Sequence, residues 1–368
     1  MERKKMITIL GTIIGVLLLI LIIVMLVVGL GNKNKTLSYN EIEAKILTAM
    51  ENYYSDNKAE LPLEGTKTLS ISTLVANGYL NDLSTYTAEG VTCSGMGYVT
   101  NIANNYSYRV VLTCSDGSTS KVFSDYLKEN VVSAGAGLYE MQQVSIDNNL
   151  QLSTNYVYRG ETVNNYVKIG DFRWRIVKIN DKNEVVLIET EDVARSSWDD
   201  RYNIETNQYR GINNYNVSRV KEYITQNILE PVNSYSLTKK LITSHDVCIG
   251  KRSTSESSIN GVAECSNVLE NQYFSLLPIY DYMSASLDVN CNSTYSASCS
   301  NYNYLSAGDE WWTVTALSDS TEDVYYVSGS VGSSYASSTK DIRLVVALDS
   351  MVSYVSGSGT YNDPYIVK

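Results

Sequence analysis

The sequence predicts an α+β fold behind a membrane anchor. Three observations carry the prediction: an uncharged apolar run near the N-terminus, a capped segment of helical periodicity, and a series of alternating segments separated by polar turns. Residues 1–32 read as a short cytoplasmic tail and a transmembrane helix, 33–130 as a small α+β unit, 131–153 as a connector, and 154–368 as a second α+β unit with a mainly antiparallel sheet.

Every residue from Met6 to Asn32 is uncharged, and residues 7–30 are mostly Ile, Leu and Val. At about 1.5 Å per residue such a helix spans roughly 36 Å, enough to cross a bilayer. A cleaved signal peptide has a shorter apolar core and a small-residue cleavage site, and neither pattern occurs before Asn34. Lipid attachment after the run is excluded, because the first cysteine is Cys93. Arg3, Lys4 and Lys5 precede the run and hold the tail in the cytoplasm, so residues 33–368 are expected outside the cell membrane, single-pass.

In the first unit Ser38 and Glu41 have capping-box spacing, and Leu37 with Ile42 fits a hydrophobic staple. Ile42, Ile46, Ala49, Met50 and Tyr53 then recur on one helical face. A second helix is expected from Ile71 to Asn77, ended by Gly78, and paired strands near Gly97 to Thr100 and Tyr106 to Thr113. The stretch 131–153 contains Ser133-Ala-Gly-Ala-Gly137 and little apolar periodicity, hence the connector.

The second unit opens with strands from Asn165 to Ile169 and from Phe172 to Asn180, the turn Asp181-Lys182-Asn183, and a strand from Glu184 to Glu189. Asn216 is placed to cap a helix carrying Val217, Val220, Ile224 and Ile228, stopped by Pro231. Asp281 to Glu310 is rich in Ser, Asn and Tyr without a period and reads as a long loop. Strands resume at Trp311 to Ala316, Val324 to Ser328 and Ile342 to Leu348.

A net charge of −11 makes nucleic acid an unsuitable partner. The six cysteines fall in local pairs, Cys93 with Cys114, Cys248 with Cys265 and Cys291 with Cys299. Sequential disulfides are the simplest of the connectivities available, with buried free thiols as the alternative. One histidine and no C-x-x-C leave no zinc ligand set, so no metal is expected. No phosphate loop, H-E-x-x-H or EF-hand motif is present, and no cofactor is expected. Ser244-His245-Asp246 names a triad, but adjacent residues cannot converge as that mechanism requires, so no catalytic residue is assigned.

Thirty tyrosines against three phenylalanines suit a recognition surface, since tyrosine offers a large rigid contact with a polar handle. The candidate ligand-binding residues are Tyr295, Tyr302 and Tyr304 in the long loop, with Asp309 and Glu310 beside them. Alternation should bury one of Trp311 and Trp312 and turn the other away. Trp174 reads as core. If the loop tyrosines are packing, the surface around Trp198 and Tyr202 is next.

Tyr158-Arg159-Gly160, Asn164-Asn165-Tyr166-Val167, Trp174 to Asn180, Trp311-Trp312-Thr313, Val324 to Val327, Ile342 to Val346 and the tail Ser356 to Ile366 together resemble a module of Gram-positive bacterial surface proteins that has no assigned function. Its order of motifs is similar to the C-type-lectin-like fold, with Leu344 where that pattern usually has proline and without the E-P-N calcium motif. Leu74, Gly78, Tyr79 and Leu80 make the first unit similar to pilin-like domains, although the glycine-then-glutamate processing site of a true pilin is missing. The resemblance implies a non-catalytic binding or adhesion module for an extracellular glycan or protein. The alternative is a structural accessory subunit of an envelope, pilus or secretion assembly.

Overall fold

Ser38 opens the first helix as its spacing requires. Its hydroxyl accepts from the Glu41 amide at 3.4 Å, and the Glu41 carboxylate accepts from the Ser38 amide at 2.8 Å. The helix, α1, is Tyr39–Asp56 and buries Ile42, Ile46, Ala49, Met50 and Tyr53. These side chains pack on an antiparallel sheet of β1 (Gly65–Ser70), β2 (Cys93–Ile102) and β3 (Asn105–Cys114), in that order. A Cβ on Gly97 would lie 2.5 Å from the Met50 sulfur, so glycine there lets α1 approach the sheet. A short helix, α2 (Ile71–Ala76), is capped by Ser70 and followed by Gly78 at φ +77°. Cys93 and Cys114 face each other across β2 and β3 and form a disulfide.

The structure is a computed structural model that describes residues 36–117, 120–146 and 149–368. The expected transmembrane segment lies outside the described residues. Among those described, no helix is long and apolar enough to cross a membrane.

Residues 131–153, expected as a connector, contain a strand. β4 (Gly137–Val144) pairs antiparallel along its whole length with β5 (Leu152–Arg159). Its inward positions include Gln143, which meets the Lys178 ammonium, so an apolar alternation never develops in the sequence. The helix before it, α3 (Phe123–Lys128), buries Phe123 and Leu127 in the core of the second unit rather than the first. Arg109 with Asp349 at 2.9 Å, and the Phe123 amide on the Val352 carbonyl at 2.8 Å, fasten the two units further.

The strands that follow are β6 (Tyr166–Ile169), β7 (Phe172–Ile179), β8 (Val185–Glu189), β9 (Ala194–Ser197), β10 (Ile242–Thr243), β11 (His245–Cys248) and β12 (Val268–Gln272). After them come β13 (Trp311–Ala316), β14 (Asp323–Ser328), β15 (Ser330–Tyr335), β16 (Thr339–Ile342), β17 (Val345–Leu348), β18 (Tyr354–Ser356) and β19 (Tyr365–Val367). One sheet has the order β10-β17-β8-β7-β6-β19-β18, with the β4–β5 hairpin joined through β7. A second has the order β15-β14-β13-β16-β9, and β11 pairs with β12 apart from both. Pairing is antiparallel except at β6–β19 and β13–β16. The chain is therefore α+β.

Three expectations shift in detail. The single strand expected from Ile342 to Leu348 is two, because the chain leaves the smaller sheet after Ile342 and joins β8 of the larger one at Val345. Ile342, Leu344 and their apolar successors are buried throughout the crossing, so no period marks the step. The helix expected at Asn216 begins instead at Ser218: α4 is Arg219–Ile224 with a π turn to Leu229, and Val217 stays exposed. Asp281 to Glu310 is not all loop, since α6 (Ile279–Ser284) occupies its start, α5 being Ser236–Lys239. Every side chain of α6 is buried, which removes the amphipathic signature.

Candidate functional site

The five residues expected to bind ligand separate in space. Tyr304 is a correction: it is 4 % exposed, its hydroxyl donates to the Ile176 carbonyl at 3.0 Å, and the Arg175 guanidinium lies 4.4 Å from its ring. It is part of the core, reached by a 3-10 turn at Tyr304–Ser306. Tyr302 is exposed at φ +47°. Tyr295 is exposed and bonds through its hydroxyl to Ser333 Oγ at 2.6 Å, with its ring edge-on to Tyr325. No ring contact or hydrogen bond joins Tyr295 to Tyr302 among the described residues.

Asp309 and Glu310 sit where β13 begins, in a crust of opposed charges. Glu310 accepts from Arg195 at 2.7 Å and Lys340 at 2.8 Å, and the hydrogen bond from Lys340 leads in holding its carboxyl below the usual range. Carboxylate oxygens of Asp192, Asp309 and Asp341 lie within 4.8 Å of one another, with Arg343 on Asp192 at 3.2 Å and Arg195 on Asp341 at 3.0 Å. The crust explains why both tryptophans below are buried, against the expectation that one would turn away. Lys340 Nζ sits 3.7 Å from the centre of the Tyr326 ring and 5.4 Å from that of Trp312. The Trp312 indole donates to the Ser196 carbonyl at 3.0 Å.

The loop bridged by Cys291–Cys299 has a packing role that its composition hid. Its 3-10 turn, Ala297–Ser300, lies against β15, the outermost strand of the smaller sheet. Closing so short a loop contributes about 2.5 kcal/mol in the chain-entropy model.

The most built surface feature is a finger between β9 and α4 that the sequence reading approached only through Tyr202. Its base is held by buried polar side chains. Asn203 donates to the Gly211 carbonyl at 2.9 Å and the Thr321 carbonyl at 3.1 Å, and accepts from the Glu205 amide at 3.0 Å. Asp199, fully buried, pairs with Arg201 and accepts from the Ile212 amide at 3.3 Å. Asn213 donates to the carbonyls of Leu317, Ser320 and Asp323. Gly211, at φ +81°, passes so close to the Asp199 carbonyl that a Cβ would collide with it. From this base the finger displays Ile204, 84 % exposed, and Tyr209, 76 % exposed, with exposed Tyr202 edge-on to Tyr209 at 5.1 Å.

The finger continues into a belt along β15. Arg210 pairs with Glu322 at 2.9 Å and stacks 4.1 Å from the ring centre of exposed Tyr335. By alternation Tyr335 shares a face of β15 with Ser333, which anchors Tyr295. Tyr202 meets Tyr209 on the finger, and Arg210, next in the chain, leads to Tyr335 on the strand whose Ser333 anchors Tyr295. The available sequence signal was an isoleucine between two tyrosines in an otherwise polar, Asn-rich stretch.

A cavity of about 80 Å³ with a mixed polar and apolar lining lies between β7, β11 and α6. Lys178 donates to Asp281 at 2.8 Å, Tyr280 at 3.0 Å and Gln143 at 3.3 Å. Burial alone would depress this ammonium, but Asp281 and Tyr280 outweigh it and hold it above its ordinary value. His245 Nε2 is 3.3 Å from Ser275 Oγ, and its Nδ1 has no partner. The Ser244-His245-Asp246 run does not converge, since Asp246 accepts from the Asn271 amide instead. The cavity is well below the roughly 300 Å³ at which ligand pockets begin.

Burial, with Lys178 and Lys182 adding to it, pushes the His245 imidazole down to about 4 from 6.5. As pH falls below about 6.5 the unfolded chain takes up a proton that the folded chain refuses until about 4, so stability is lost across that window. The denaturation midpoint of wild type should therefore fall from pH 7 to pH 4 more than that of His245→Gln. Parallel curves for the two proteins would remove His245 from this role.

Comparisons of the chain with protein-family models, with characterised proteins and with solved structures give no match.

Proposed function

We propose that this chain is a membrane-anchored, extracellular recognition protein whose second unit binds a ligand without catalysis through the finger and tyrosine belt. The single observation that carries the reading is the contrast within residues 199–213: a base fixed by buried Asn203, Asp199 and Asn213, and a tip that exposes Ile204 and Tyr209. A rigid loop that keeps large apolar groups in water loses stability for no folding gain, and pre-organised aromatic anchors are what binding surfaces use. The anchor at residues 7–30 and the lectin-like order of motifs support the same reading. Tyr295 belongs to the belt, while Glu310 is answered by Arg195 and Lys340 and acts as scaffold, and Asp309 lies beside Asp192 and Asp341 in the same crust.

A combined Tyr202→Ala, Ile204→Ser, Tyr209→Ala variant should unfold within about 0.5 kcal/mol of wild type, as exposed changes usually do. Its binding to protein and glycan arrays should fall, by about 1–2 kcal/mol for each true anchor. Equal binding by both proteins would refute the reading, and so would silence of the wild type on every array. Silence would favour an accessory subunit, a reading supported by the partly apolar groove of about 490 Å³ between α2 and β2, lined by Ile71, Val75, Leu83 and Gly95.

A further inference from the structure

Strand β1 joins an exposed apolar side chain at its start to an apolar groove at its end, and its outer edge is free between them. β1 ends the sheet of the first unit, and Thr66, Lys67 and Thr68 are all exposed. Its pairing with β2 runs from Gly65–Asn101 to Ser70–Met96 without a bulge. Among the described residues, the main chain of residues 66–69 makes no hydrogen bond outside that ladder. The strand has no proline, and its one charge, Lys67, is drawn to the Glu60 carbonyl at 2.8 Å. Ahead of it Leu63 is 97 % exposed, on a loop fixed by buried Asn101, which donates to the Leu63 and Pro62 carbonyls at 2.7 and 3.2 Å. Past Ser70, β2 runs on without β1, and beside it lies the groove of about 490 Å³ lined by Ile71, Val75, Leu83 and Gly95.

We propose that β1 pairs antiparallel with β1 of a second copy about a two-fold axis at Thr68, each Leu63 entering the other copy's groove. Antiparallel pairing sets the start of one strand beside the end of the other, so the leucine and the groove meet twice and the interface closes at two copies. One strand carries both halves of the contact, which favours a second copy over an unrelated segment. Residues that face each other in an antiparallel ladder point their main-chain groups alike, so the axis passes through a residue. At Lys67 it would set two ammonium groups side by side, which is unfavourable, and at Thr66 it would stop Leu63 short of the groove. At Thr68 it sets Lys67 beside Leu69 and Thr66 beside Ser70, and carries Leu63 past Ser70 to α2. The pairing concerns the first unit and is independent of the finger reading.

The test is disulfide trapping of single added cysteines in the full chain, in detergent with micelles well in excess of protein. The native cysteines are paired and leave no free thiol to compete. A two-fold axis makes Thr68→Cys its own partner, at a Cα separation of about 4.5–5.5 Å that a disulfide accepts. It should couple at least about tenfold faster than off-axis Lys67→Cys and than Thr48→Cys on the exposed face of α1. Adding Leu63→Ser to Thr68→Cys should slow coupling about tenfold and leave the melting temperature unchanged, since Leu63 is buried only in the pair. Equal rates at the three positions, or fastest coupling at Lys67→Cys, would overturn the pairing. Coupling led by Thr68→Cys but indifferent to Leu63→Ser would overturn the seat of Leu63 in the groove. Neither failure touches the finger, which shares no residue with β1.

Discussion

Arg252→Met is expected to cost about 3–5 kcal/mol of stability, because it leaves the Glu264 carboxylate buried without its counter-charge. Both side chains are fully buried, and the guanidinium donates to the two Glu264 oxygens at 3.2 and 3.0 Å. The same group reaches Thr294 Oγ1 at 2.8 Å and the carbonyls of Glu256 and Ser258, so it ties the bridged loop and the segment after β11 to one point. Burial raises the Glu264 carboxyl even with Arg252 in place, and removal of the cation drives it further towards protonation. Urea denaturation measures the loss. The double variant Arg252→Met/Glu264→Leu should regain much of it, since an apolar pair can replace a buried ion pair at little cost. A single-variant loss below about 1 kcal/mol, within the range of an exposed pair, would show that the pair is not sealed.

Trp174→Ala should be comparably damaging, at about 3–5 kcal/mol, for an unrelated reason. Trp174 is fully buried on β7 between Val167 of β6 and Glu189 of β8, and its ring meets Tyr235 at 6.1 Å. Its loss opens a cavity that the surrounding strands cannot close. Thermal melting should show a fall of many degrees, against little change for the finger variant. If the two variants melt alike, either the tip packs more than its exposure indicates or the Trp174 site collapses without strain.

Two signals were legible in the sequence: a capped helix with one wet face, and short runs of β-branched or aromatic residues set off by polar turns, which found even the wholly buried β8 and β13. Ser38 with Glu41 and the α1 stripe combine a polar and a buried side, and the structure has a helix there. The parts that were not legible lack both signals. α6 shows no period because nothing on it faces water, and β4 hides behind the meeting of Gln143 and Lys178. Tyr304 misled for the same reason: its neighbours Asn303 and Ser306 look like loop residues, but Asn303 is buried and donates to the carbonyls of Tyr282 and Cys299. The finger was half visible, because an exposed apolar side chain declares itself only once its surroundings are known.

The turn Ala297–Ser300 seated on β15 has a consequence beyond the energy of its disulfide. β15 ends its sheet, and an uncovered end strand presents a row of free amide and carbonyl groups on which another chain can add itself. The opposite end strand, β9, is short and carries Arg195, a charged deterrent to such pairing. On the β15 side the sequence Ser330-Val-Gly-Ser-Ser-Tyr335 carries no charge, and the bridged turn takes over that duty. The Cys291–Cys299 pair then acts as a guard against chain-to-chain β-addition wherever copies of the chain meet.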